Sequence, residues 1–154
     1  MLACELFKSV SDNIKNINIT SIAYDSRKVK DGSVFVCIKG FEADGHKYAK
    51  LAEESGAAII VAEDEVDVNI PVVYVDNSRR ALAELSCTFY GNPSEKFKLI
   101  GITGTNGKTT ITYLIKSILE SCGKQVGVIG TNQNIIGDKV LLTKSTTPTT
   151  PNSL

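Results

Sequence analysis

The chain has no tryptophan, one histidine and one methionine, and aromatic residues make up 6% of it. So thin an aromatic supply argues against a surface on which nucleic-acid bases stack. Net charge is also missing: 17 Lys and Arg balance 17 Asp and Glu, and the pI is near 6.6. That balance excludes the broadly basic face of a general nucleic-acid or membrane-surface binder. No apolar run approaches the length that spans a bilayer. Nor does the start, Met1 to Glu5, show a basic stretch followed by an apolar core of the secretory kind. The four cysteines, Cys4, Cys37, Cys87 and Cys122, form no C-x-x-C pair, which speaks against zinc and against a disulfide framework. Cys37 and Cys87 lie in apolar surroundings and read as small buried hydrophobes. The expectation is a reduced, cytoplasmic protein with neither nucleic acid nor membrane as partner.

What the chain does have is a 154-residue length and 42% hydrophobic residues, enough for one ordinary domain or two small ones. Its charge is divided. Residues 1–96 carry a net −4 and residues 97–154 a net +4, so the second stretch offers a positive field suited to a phosphate-bearing ligand. The spacing of Leu2, Leu6, Phe7 and Val10 predicts a helix from 2 to 10. Strands are predicted at 19–24, 33–38, 57–62 and 72–75. The run at 57–62 is wholly apolar, as for a strand buried on both faces. Helices are predicted at 46–55, closed by Gly56, and from an Asp76 or Asn77 cap to Tyr90, with Leu82, Leu85 and Phe89 inward. Gly91 to Lys96 breaks the pattern and marks a boundary between domains at 1–92 and 97–154. Beyond it a strand at 97–102, a helix at 108–121 with Leu114, Ile115, Ile118 and Leu119 inward, and a strand at 125–129 read as a parallel βαβ unit. A hairpin follows at 135–140. The fold class is α/β: a small α/β domain, then the start of a P-loop parallel-sheet domain.

The chemistry is concentrated in Gly101-Ile102-Thr103-Gly104-Thr105-Asn106-Gly107-Lys108-Thr109-Thr110. The run follows a predicted strand and opens a helix, the setting of a phosphate-binding loop. Gly104 and Gly107 admit backbone shapes closed to other residues and turn N–H groups toward phosphate oxygens. The helix N-terminus adds its positive dipole end. Lys108 reaches the β- and γ-phosphates as a point charge, and the Thr109 hydroxyl is a ligand for Mg²⁺. The spacing is unusual, because G-x-x-x-x-G-K-[ST] would start at position 102, which is Ile. Elsewhere, Asp25-Ser26-Arg27 supplies a hydroxyl and a guanidinium suited to phosphate or uracil edges, with a local ion pair closing a turn as the equal alternative. His46 reads as a cap or packing residue, and Arg79 with Arg80 as a solvated helix face.

Thr-Gly-Thr-Asn-Gly-Lys-Thr-Thr at 103–110 resembles the ATP-binding loop of the Mur ligases, the ATP-dependent amide-forming enzymes of peptidoglycan synthesis. Asp25 to Val29, Gly32 to Val36 and Gly40 to His46 resemble that family's uridine-nucleotide-binding domain. Within the family the combination is most similar to members that add a diamino acid to UDP-N-acetylmuramoyl-L-Ala-D-Glu. The resemblance implies that Gly104, Thr105, Asn106, Gly107, Lys108, Thr109 and Thr110 carry ATP, with Lys108 catalytic and Thr109 on Mg²⁺. It implies that Tyr24, Ser26, Phe41, Glu42 and Ala43 bind the UDP part, and that a Thr-Thr pair contacts the muramoyl-peptide end. Thr149-Thr150 is favoured for that role over Thr146-Thr147. The diamino acid is meso-diaminopimelate or L-lysine, the former favoured. Alternatives are the sister ligase that adds D-Ala-D-Ala and a non-catalytic nucleotide-binding module. Family members carry three domains, so the chain reads as the N-terminal part of a longer enzyme, inactive alone. The resemblance also implies that the residues holding a second Mg²⁺ and the incoming amino acid lie beyond Leu154.

Overall fold

The computed structural model describes residues 1–7, 11–40, 44–130, 132–137 and 139–142, with burial described through residue 140. They form two compact units, Met1–Phe97 and Lys98–Leu154. The class is α/β.

In the first unit four parallel strands stand in sequential order: β1 (Ser21–Ala23), β2 (Ser33–Val36), β3 (Ala57–Ala62) and β4 (Val72–Tyr74). Alternation along the strands divides the interior into two layers. Ile22, Val34, Val36, Ile59 and Val61 meet Ala3 and Leu6 of helix α1 (Ala3–Leu6) and Leu82 and Leu85 of helix α3 (Ser78–Phe89). On the opposite layer, Ala23, Phe35, Cys37, Ile60 and Ala62 meet Ala49 and Ala52 of helix α2 (Ala49–Glu54). Both faces are thus covered, which is why the central strands read as continuous apolar runs. Buried Ser33 is fully engaged: its Oγ bonds the Lys30 carbonyl at 2.6 Å, the Lys30 N–H at 2.8 Å and the Ser21 Oγ at 2.7 Å.

Several expected bounds shift. The first helix ends at Leu6 rather than at 10, because Phe7 turns extended. Its N-terminal residues are tied to the 15–19 segment through Ala3 N–H to the Ile17 carbonyl and Ile19 N–H to the Met1 carbonyl. The 46–55 helix is a 3-10 turn, Gly45–Tyr48, running into α2, and Gly56 closes it at φ 95°. Asn77 caps α3 by accepting the Arg80 N–H at 2.8 Å. Cys87 stands exposed on α3, not buried: Leu82 and Leu85 take the inward face of the helix and leave Cys87 on the other.

The second unit holds helix α4 (Lys108–Ser121) and an antiparallel sheet of β5 (Gly127–Ile129), β6 (Gln133–Ile136) and β7 (Lys139–Leu142). The hairpin joining β6 to β7 turns at Gly137, at φ 56°. Two expectations fail here. Residues 97–102 form no strand, and β5 pairs antiparallel with β6, so no parallel βαβ pairing occurs among the described residues. A strand needs a neighbour for its ladder and for burial, and Leu99, 75% exposed, has none. For the same reason α4 has no buried residue; Leu114 and Ile118 are exposed, and Ile115 and Leu119 are only half-buried.

Candidate functional site

The glycine-rich loop leads into α4 through two unusual backbone positions. Gly104 has φ 150° and Gly107, the N-cap of α4, has φ 75°. No atom lies within 4 Å of a Cβ built at Gly107, so conformation alone calls for glycine there. Gly107 offers no side-chain cap, and the first α4 bond runs from the Ile111 N–H to the Gly107 carbonyl at 2.9 Å. The N–H groups of Lys108, Thr109 and Thr110 therefore have no backbone acceptor among the described residues. These three donors and the helix dipole make a nest for an oxyanion.

The Lys108 ammonium folds back over this loop and donates to the carbonyls of Gly104 and, at 3.3 Å, Thr105. One cation and three N–H donors thus share one short segment. Thr105, Asn106, Thr109 and Thr110 are exposed around it, and the Thr109 hydroxyl stands in the first turn of α4. All seven residues expected to carry a nucleotide lie in this loop and turn.

In the first unit, the described residues of the expected set, Tyr24 and Ser26, lie at the carboxyl end of β1, an edge at which open α/β sheets bind ligands. Tyr24 follows β1 and packs partly against the core, and half-buried Ser26 opens a 3-10 turn (Ser26–Lys28). Asp25 and Arg27 form a bidentate pair, with Nε to Oδ1 at 2.9 Å and Nη2 to Oδ2 at 2.8 Å. The Arg27 hydrogen bond holds the Asp25 carboxyl below its ordinary value, against the effect of burial. The ion pair closing a turn is therefore what forms. Phe41, Glu42 and Ala43, and the Thr149-Thr150 and Thr146-Thr147 pairs, lie outside the described residues.

Sequence reasoning missed a polar network at the same carboxyl edge. Glu63, just after β3, accepts the Ser78 N–H at 2.7 Å and the Ser78 hydroxyl at 2.8 Å on Oε1. Lys39, after β2, lies 2.6 Å from Asp64 Oδ2 and 3.6 Å from Glu63 Oε2. Arg79 donates to the Lys39 carbonyl at 3.1 Å, while Arg80 pairs with Glu84 one turn along at 2.8 Å. The ring of His46, 9% exposed, lies between Asp44 and the main chain after β3. The available signal was position, since each of these residues follows a strand or opens a helix. Burial, with the Asp44 charge adding to it, pushes the Cys37 thiol up to about 12, so that thiol is no nucleophile. Among the described residues there is no cluster of three His, Cys, Asp or Glu able to hold a metal, and no helix long and apolar enough to cross a membrane.

Two family profiles match the chain: "Mur ligase family, catalytic domain" over residues 18–90 and "Mur ligase middle domain" over residues 102–154. A UDP-N-acetylmuramoyl-L-alanyl-D-glutamate–2,6-diaminopimelate ligase from Listeria monocytogenes is 54% identical over 134 residues, which are 87% of this chain and 27% of the relative. A solved structure of a ligase of that same name matches 92% of this chain and 30% of its own, with TM-score 0.72 and 26% identity. The MurF ligase of Thermotoga maritima in complex with ADP matches 68% of this chain and 24% of its own, with TM-score 0.52 and 32% identity. The chain spans less than a third of the length of the curated relatives it matches. With one family's profiles matched on both sides of the unit boundary, and the glycine loop inside the second match, the chain belongs to the Mur ligase family.

Proposed function

We propose that this chain supplies the uridine-nucleotide unit and the ATP loop of a cytoplasmic ligase of peptidoglycan synthesis. That ligase adds meso-diaminopimelate to UDP-N-acetylmuramoyl-L-Ala-D-Glu. The observation that carries the reading is the 104–110 segment: two positive-φ glycines, three open N–H donors and the Lys108 ammonium on one helix start. The names of the 54% identical relative and of the structure matched over 92% of the chain support the diaminopimelate assignment over the D-Ala-D-Ala-adding ligase. The ADP complex of a family member supports nucleotide use.

On this reading residues 1–92 hold the UDP end of the acceptor through Tyr24 and Ser26, with Phe41, Glu42 and Ala43 as further contacts from sequence. Residues 97–154 hold ATP, and Thr149-Thr150 meets the muramoyl peptide. The D-Glu carboxylate attacks the γ-phosphorus, forming an acyl phosphate and releasing ADP. The amine of the diamino acid then attacks the acyl carbon, forming the amide and releasing phosphate. Lys108 leaves the Gly104 and Thr105 carbonyls for the phosphate oxygens and offsets the charge that gathers on them during transfer. The open amides of Lys108, Thr109 and Thr110 orient the phosphates. The Thr109 hydroxyl, a hard oxygen donor, suits Mg²⁺, which takes few protein ligands beside phosphate and water and would supply charge neutralisation there.

Calorimetry on the 154-residue chain tests both halves. The expected result is saturable binding of UDP-N-acetylmuramoyl-L-Ala-D-Glu and, separately, of ATP with Mg²⁺. Failure to bind the uridine compound overturns the first assignment, and failure to bind ATP overturns the second.

A further inference from the structure

Arg79 and Arg80 are neighbours in sequence and read together as a solvated face, yet the structure gives them different surroundings. Arg80 pairs with Glu84 on its own helix at 2.8 Å. Arg27, the remaining arginine, is held by both carboxylate oxygens of Asp25. Arg79 has no carboxylate at ion-pair distance among the described residues. Its acceptor is main chain: Nη2 donates to the Lys39 carbonyl at 3.1 Å. Glu63 and Asp64, which stand at the same edge, are engaged by Ser78 and Lys39. A carbonyl fixes the direction of a guanidinium but leaves its charge uncancelled. Arg79 is exposed, and the other donors of its fork have no acceptor among the described residues. A planar cationic fork held in this way suits the oxygens of a phosphate.

The sheet sets where this fork stands. Parallel β1 and β2 pair Ala23 with Phe35, so their chains leave the sheet as neighbours, Tyr24 to Ser26 from β1 and Cys37 to Lys39 from β2. Adjacent strands lie about 4.8 Å apart. The carbonyl that anchors Arg79 therefore belongs to the chain end next to Tyr24 and Ser26. The layers agree. Tyr24 and Ile38 pack on the side of the sheet taken by Leu82 and Leu85 of α3, the helix that carries Arg79. The backbone at the start of α3 is already engaged, with the Ser78 N–H on Glu63 and the Arg80 N–H on Asn77. What this end of α3 offers an anion is the Arg79 side chain.

Resting on the uridine-site reading above, we propose that Arg79 binds the diphosphate of the uridine compound and makes the site select a nucleoside diphosphate over the bare nucleoside. The nucleoside end meets the corner after β1, and the phosphates meet the guanidinium held at the end of β2. The carbonyl anchor orients the fork before the ligand arrives, so less side-chain freedom is lost on binding. The charge that no carboxylate cancels is met by the phosphate oxygens.

The test is a pair of ligands on the 154-residue chain, UDP by calorimetry and uridine by magnetic-resonance titration, with wild type, Arg79→Gln and Arg79→Lys. The Gln amide keeps a donor for the Lys39 carbonyl and loses the charge; the Lys ammonium keeps the charge and loses the fork. Wild type should bind UDP more tightly than uridine. Arg79→Gln should lose on the order of tenfold for UDP and stay within about twofold for uridine, with Arg79→Lys between the two proteins. Equal losses for UDP and uridine would mean that Arg79 only props the end of β2, and would overturn the proposal. Undiminished UDP affinity in Arg79→Gln overturns it as well. Should Arg79→Gln fail to fold, Arg79→Lys decides: a larger loss for UDP than for uridine supports the proposal, and equal effects overturn it. A wild-type chain that binds neither ligand defeats the uridine-site reading and this proposal with it. One that binds both with equal affinity defeats this proposal and leaves that reading standing.

Discussion

Lys108 occupies the point where loop and helix meet. Its ammonium rests on the carbonyls of Gly104 and Thr105, one turn from three open amide donors. Replacing it removes the one cation of the 104–110 segment and leaves the amides in place. A hydrogen bond to a charged group is worth about 1.5–3 kcal/mol. Lys108→Ala should therefore weaken ATP binding by about ten- to a hundredfold, with binding of the uridine compound unchanged. Titration of both ligands into the variant checks this, and undiminished ATP affinity would contradict the phosphate role. At the same scale, Asp25 and Arg27 show the limit of reading residues singly. Sequence left a ligand role and a turn-closing pair equally open, and the side-chain geometry supplies the pair.

Between elements, Glu63 staples the end of β3 to the start of α3. Its carboxylate accepts the Ser78 N–H and hydroxyl, with Lys39 nearby, and a negative group there also meets the positive end of the helix. The Ser78 bonds, backbone first, hold the Glu63 carboxyl below its usual 4.5. A depressed carboxyl pKa contributes stability that is present above the unfolded value and is lost as pH falls through the folded one. Wild type should thus be more stable than Glu63→Gln at neutral pH, and the difference should close as the pH drops below 4.5. Urea unfolding of both proteins at about pH 7 and about pH 3 measures it. A gap that persists undiminished in acid would show that the charge of Glu63 is not its source.

Over the whole chain, the two units differ in what they bury. Met1–Phe97 encloses two apolar layers around β2 and β3, with Val34, Phe35, Val36, Ile59, Ile60 and Val61 at 1% exposure or less. In the second unit Val128, Asn134 and Ile135 are the buried residues among those described, and α4 has none. Local opening is cheapest where few apolar contacts must be broken. Amides in β2 and β3 should therefore exchange more slowly than those in α4 and in β5 to β7. Hydrogen exchange on the intact chain resolves the elements, and slower exchange in α4 than in β3 would refute the ordering.

The amino-acid sequence by itself determined the features that depend on neighbouring residues. The apolar run at 57–62 became β3 residue for residue, Asn77 became a cap, Gly56 closed its helix, and the glycine-lysine-threonine loop opened α4. Each follows from local backbone preference or from a period of two or 3.6. Only the tertiary structure decided what depends on a distant partner. The run at 97–102 has strand composition, yet pairs with no strand among the described residues. Cys87 reads as buried but faces outward, because Leu82 and Leu85 claim the core side of α3. The His46–Glu63–Ser78 network joins residues 15 to 17 positions apart, and parallel strands alone bring their loops to one edge. A hydrogen bond between distant segments leaves no period in the sequence, since its geometry exists only once the sheet has formed.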